Sequence, residues 1–105
     1  MVVPCDVYAI TNTVTGKIYI GSTSNVERRY RDHINALRRG NHWVEDMQSD
    51  YDEYGDHFKF EVIDHFSRST ERGKEYEWMD KLHTGVRQFG YNYNDKHYVF
   101  KKNRG

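Results

Sequence analysis

Two short runs near the start of the chain mix β-branched and aromatic residues: 6–11 (Asp-Val-Tyr-Ala-Ile-Thr) and 17–21 (Lys-Ile-Tyr-Ile-Gly), with turn-forming types from Asn12 to Gly16 between them. The pattern predicts a hairpin. With Thr13 and Val14 at the tip, Tyr8 falls opposite Tyr19 on one face, while Val7, Ala9, Ile18 and Ile20 share the other. A slip of one residue would separate the tyrosines. The period then changes. Ser24 followed by Glu27 reads as a capping box and Gly40 as a stop, which frames a helix over 25–39. At about 100° per residue, Val26, Tyr30, Ile34 and Leu37 make one apolar stripe. Arg29 and His33 border it, and Arg28 faces solvent.

Val44, Met47, Tyr51 and Tyr54 recur at helical spacing on an otherwise acidic stretch, which predicts a second helix over 43–54 ended by Gly55. Residues 57–66 alternate again, with Phe58, Phe60 and Val62 on one side and Lys59 and Glu61 on the other. They predict a third strand joining the hairpin. The last helix is expected over 70–83, capped by Ser69 and ended near Gly85, with Gly73 in its first turn.

A length of 105 residues bounds the chain to one domain. Only 36% of residues are apolar, but nine Tyr, five Phe and two Trp supply rings enough for a small aromatic core. Sixteen Lys and Arg balance sixteen Asp and Glu, so whole-molecule attraction to nucleic acid is not implied. The charge is nonetheless segregated: residues 17–42 carry a net +4 and residues 43–66 a net −7. A polyanion could meet the first segment while the second faces away. The single Cys5 cannot form an internal disulfide, no apolar run reaches membrane length, and the first residues lack a basic and then apolar stretch, so secretion is not expected. The expectation is a soluble protein of a reducing compartment.

One acidic position stands out. In the last helix Met79, Leu82 and Trp78 flank Glu75, which puts a carboxylate in the middle of an apolar stripe. Such a group costs several kcal/mol unless it is paired, protonated or bound to a cation. A salt bridge answers this, and so does a hard metal ion such as Mg²⁺, commonly held by one or two carboxylates with water and phosphate. Arg29, at the edge of its own stripe, is either a snorkelling surface side chain or a phosphate clamp, because its planar charged fork suits phosphate oxygens. His33, one turn on, is either structural or in reach of the same phosphate. Tyr8 and Tyr19 are ordinary strand residues unless a cation lowers a phenol pKa that starts near 10.

Val7-Tyr8, then Tyr19-Ile20-Gly21, then Arg29 and His33 on the next helix, Glu75 on a later one, and Gly90-Tyr91-Asn92 together resemble the GIY-YIG nuclease superfamily. Order and spacing are most similar to the catalytic domains of phage-type homing endonucleases, including Gly40-Asn41-His42 and Asp56-His57-Phe58. The resemblance covers about residues 6–94. One position departs from it: Asp6 stands where the family usually has Gly.

The resemblance implies an α+β fold, a small three-stranded antiparallel sheet flanked by helices, with the site on the sheet face that carries both tyrosines. It implies a DNA endonuclease using one Mg²⁺ or Mn²⁺ ion. Tyr8 and Tyr19 would position or activate water, Arg29 would stabilise phosphate charge with His33 beside it, and Glu75 would hold the metal. Asn92 would hold the site together. His42 and Asn92, with Lys101 and Lys102, are further candidates for contact with the substrate. A nuclease domain over 1–94 and a basic tail over 95–105 follow, with no organic cofactor and no membrane. The location implied is the cytoplasm of a bacterial or phage-infected cell. No duplex-reading module fits after residue 94, so a DNA-recognition domain outside this chain is one expectation and a nuclease of little sequence preference the other. The rival reading is a catalytically silent binding module of the same fold.

Overall fold

The computed structural model describes residues 3–67 and 73–95. Strand β1 (Pro4–Asn12) lies at the centre of a three-stranded antiparallel sheet of order β2-β1-β3, with β2 (Ile18–Thr23) and β3 (Phe58–Ser67) at its edges. Helices α1 (Val26–Arg39) and α2 (Glu45–Tyr54) connect β2 to β3. Helix α3 (Glu75–Leu82) and a single 3₁₀ turn (Asn92–Asn94) follow. The architecture is the α+β arrangement expected, with the strand and helix order read from the pattern.

The hairpin register differs from the expected one. Tyr8 pairs with Gly21 and Tyr19 with Ile10, a shift of two residues. The cause is the loop. The Asn12 side chain accepts the Val14 N–H, the Gly16 N–H bonds the Asn12 carbonyl, and the turn takes four residues, Thr13 to Gly16. Because a shift of two preserves the alternation, both tyrosines remain on one face. Tyr8, Ile10 and Tyr19 pack with Leu37, Val44, Met47 and Tyr91 there. Val7, Ala9 and Ile20 pack on the opposite face with Cys5, Phe66 and Met79.

A bulge alters the third strand. Tyr8 pairs with Val62 but Val7 with Asp64, so Ile63 is an extra residue. Phe58 and Phe60 pack against the tyrosine face as expected, whereas Val62 is exposed and Ile63 joins the opposite cluster.

The helix starts are corrected: α2 begins at Glu45 rather than at residue 43, and those of α1 and α3 also move. The α1 cap is Asn25, whose side chain accepts the Arg28 N–H, so Glu27 falls one position short of a capping box with Ser24. The buried centre of α1 is His33 with Leu37, and Tyr30 is exposed against Phe60. Helix α3 starts at Glu75, with Gly73 outside it; its C-terminal end is where it was expected, at Leu82, with His83 in the left-handed region as the cap. The proposed Ser69 cap and the start at Thr70 lie outside the described residues, as do Lys101 and Lys102.

Candidate active site

Tyr8 is the hub of the site. Its ring stacks on Phe60 at 4.9 Å, and its hydroxyl lies 2.8 Å from His33 Nε2. The position is set by its strand partner: a Cβ on Gly21 would come within 2.4 Å of the Tyr8 Cζ and hydroxyl, so only glycine lets the phenol lie across β2. Tyr19 packs beside it, ring centroids 6.3 Å apart, and donates its O–H to Asp95 Oδ2 at 2.6 Å.

Glu75 arrives from the other side. Helix α3 packs on the face opposite the tyrosines, so the expected one-face site is corrected to one that wraps the β2 edge at Gly21 and Ser22. The carboxylate is buried, and its Oε2 accepts the Ser22 hydroxyl at 2.6 Å. Its Oε1 has no hydrogen-bond partner, an expensive condition for a buried carboxylate oxygen. That oxygen lies where a Cβ on Gly73 would sit, 2.0 Å away. No salt bridge to Glu75 occurs among the described residues.

The charges converge on Tyr8. Burial pushes its phenol well above the ordinary value. The Arg29 guanidinium opposes that shift, while the carboxylates of Asp95, Glu75 and Asp32 add to it. Arg29 is half-buried on α1, as expected for the border of the apolar stripe, and close enough for its charge to act on the phenol. His33 is driven down to about 2, first by burial and then by His42 and Arg29. Burial takes His42 down to about 4 against a hydrogen bond from the Val44 backbone. Both imidazoles are therefore neutral near pH 7.

Two candidates stand behind the site rather than in it. Asn92 is buried, with its amide spent on β2: Oδ1 accepts the Ile20 N–H and Nδ2 donates to the Ile20 carbonyl, both at 2.9 Å. The side chain continues, at Ile20, the pairing that the backbone of Phe89 and Tyr91 makes with Ile18 on the outer edge of β2. Substrate contact by Asn92 is corrected to support of β2. His42 is likewise buried, with both ring nitrogens engaged by His33 and Val44, and does not line a substrate surface.

The sequence reading missed Ser22, Gly73 and Asp95. Ser22 follows the Tyr-Ile-Gly run and points with Ile20, which the strand period could have flagged. Asp95 lies 76 residues from Tyr19 and no local pattern announces it. Among the described residues no group of three or more His, Cys, Asp or Glu could hold a metal ion. Among the described residues the donor that fits a cation is Glu75, through its unpartnered Oε1, with remaining positions left for water and phosphate.

A three-stranded antiparallel sheet with paired tyrosines, an arginine and histidine on the first helix and a buried glutamate meeting them at the second strand defines a class of catalytic domain. The chain belongs to the GIY-YIG catalytic domain family, whose pattern matches residues 4–92. It is 26% identical over 91 residues to "Intron-associated endonuclease 1" of Enterobacteria phage T4, a match covering 85% of this chain and 36% of that protein. The chain thus spans about a third of its relative's length. Its fold is similar to two solved structures of the catalytic domain of the homing endonuclease I-TevI. A mutant form matches with a TM-score of 0.76 at 24% identity, covering 88% of this chain and 95% of that one. The second matches with a TM-score of 0.72 at 22% identity, covering 82% and 96%.

Proposed function

We propose that this chain hydrolyses phosphodiester bonds of DNA with the help of one divalent ion, Mg²⁺ or Mn²⁺, held by Glu75. The observation that carries the reading is the buried Glu75 Oε1 with no partner, set at the β2 edge within electrostatic reach of Tyr8. An ion bound there would polarise the phosphate and stabilise the leaving oxygen. The chain's own groups do the rest. Arg29 meets the negative charge that builds on the non-bridging oxygens. Tyr8 holds the attacking water through its hydroxyl, and Tyr19, fixed by Asp95, walls the same space. Ser22 holds the carboxylate in place.

The relative's name supplies the endonuclease class. DNA fits the exposed Arg28, Arg31, Arg38 and Arg39 on the outer side of α1, which offer phosphate contacts without base readout. Sequence choice then belongs to a DNA-recognition segment outside this chain, or is weak. The test is nicking of supercoiled plasmid with Mg²⁺, with and without chelator. Nicking that chelator abolishes, and that Glu75→Ala reduces at least about a hundredfold, is expected from the loss of the carboxylate proposed to hold the ion. Equal nicking by Glu75→Ala would falsify the proposed role of Glu75. No nicking by the unmutated chain would favour a silent module.

A further inference from the structure

Three hydrogen bonds in series have a direction that one backbone group decides. The Val44 N–H can only donate, and it donates to His42 Nδ1 at 3.0 Å. That nitrogen therefore carries no proton, and the proton of the imidazole is on Nε2. His42 Nε2 lies 2.8 Å from His33 Nδ1, so His42 donates and His33 Nδ1 accepts. The His33 proton is then on Nε2, which lies 2.8 Å from the Tyr8 oxygen, and His33 donates to it. We propose that His42 is a positioning residue for the reaction: it relays the polarity of the Val44 N–H through His33 so that the Tyr8 oxygen is held as an acceptor.

His33 is consequently unable to take the Tyr8 proton, because the nitrogen facing Tyr8 already has one. Its N–H instead fixes the phenol oxygen as a hydrogen-bond acceptor, which leaves the Tyr8 O–H free to orient the attacking water. With His33 as the donor, the Tyr8 O–H is directed away from His33.

The surroundings hold this arrangement. Gln48 Oε1 accepts the His42 backbone N–H at 2.9 Å, and its Nε2 donates to the Leu37 carbonyl and to Asp52. This ties the α1–α2 connection to both helices. The Trp43 ring stacks on His42 at 4.0 Å and lies 4.6 Å from His33, covering the pair on its solvent side. Both imidazoles being neutral near pH 7 agrees with one proton on each.

The inference rests on the nuclease reading for its purpose, but its geometry is testable without DNA. Long-range ¹H–¹⁵N spectra of the free, full chain report which nitrogen of each histidine bears the proton. A pyridine-like Nδ1 and a pyrrole-like Nε2 are expected for both His33 and His42. A pyrrole-like Nδ1 on His33 overturns the relay. Single-turnover nicking at saturating DNA gives the functional arm. His42→Ala is expected to slow the step about tenfold, the worth of one oriented hydrogen bond, with DNA affinity unchanged and the His33 tautomers mixed. His42→Gln can accept from Val44 and donate to His33 through its amide, and is expected to stay within about threefold of the unmutated rate. A folded His42→Ala with the unmutated rate overturns the proposal. Expected tautomers in a chain that never nicks would leave the polarity standing and remove the nuclease reading alone.

Discussion

Glu75 and the two histidines are buried for opposite reasons. Glu75 keeps a bare oxygen that a protein stabilised for folding alone would pair or replace. His33 and His42 satisfy each other and are stable as long as they stay neutral. Their folded pKa values, about 2 and about 4, lie below the ordinary 6.5, so the unfolded chain binds protons first as pH falls. The stability they contribute is fully present above about pH 6.5 and is lost as pH drops through about 4 and then about 2. Urea unfolding from about pH 7.5 down to about pH 4 is expected to show a loss on the order of 3 kcal/mol from His42, and His42→Gln is expected to flatten that dependence. An unchanged slope in the variant would contradict neutral burial. The sequence placed His33 at the border of the α1 stripe but gave no sign that His42, nine residues on, would stack against it, because the contact depends on a connection whose path Gln48 sets.

At the scale of elements, β2 is the part on which the site is built. Its Gly21 lets the Tyr8 phenol cross it, its Ser22 holds Glu75 from the opposite face, and its Ile20 backbone is completed by Asn92. The Gly21→Ala methyl would drive the Tyr8 ring off His33. About a hundredfold loss of nicking and about 1–3 kcal/mol of destabilisation are expected, with far-UV dichroism retained. Full activity in that variant would mean that Tyr8 need not cross β2. The strand alternation, the stops at Gly40 and Gly55 and the third strand were legible because each repeats a local period or breaks it. The two-residue register shift, the Ile63 bulge and the start of α3 were not, since an Asx turn, an inserted residue and a packing contact decided them.

Over the whole molecule, the even count of charges conceals an uneven surface. The exposed arginines of α1 stand apart from the acidic α2, whose Asp46 is engaged by Lys17 and Tyr93 and whose Asp50 accepts from Tyr91. Binding to duplex DNA is expected to weaken steeply with salt. The double variant Arg28→Gln, Arg31→Gln is expected to reduce the slope of log affinity against log salt by about two, one for each phosphate contact. An unaltered slope would move the DNA track elsewhere on the surface.

The proposed role of Glu75, buried within electrostatic reach of Tyr8, is to hold a cation. Titrating Mn²⁺ into ¹⁵N-labelled protein without DNA tests it most directly, because the paramagnetic ion broadens the amides nearest to it. Selective broadening of residues 21–23 and 73–76, absent in Glu75→Gln, is the result expected. Broadening spread over the acidic surface of α2, and identical in the two proteins, would contradict the account.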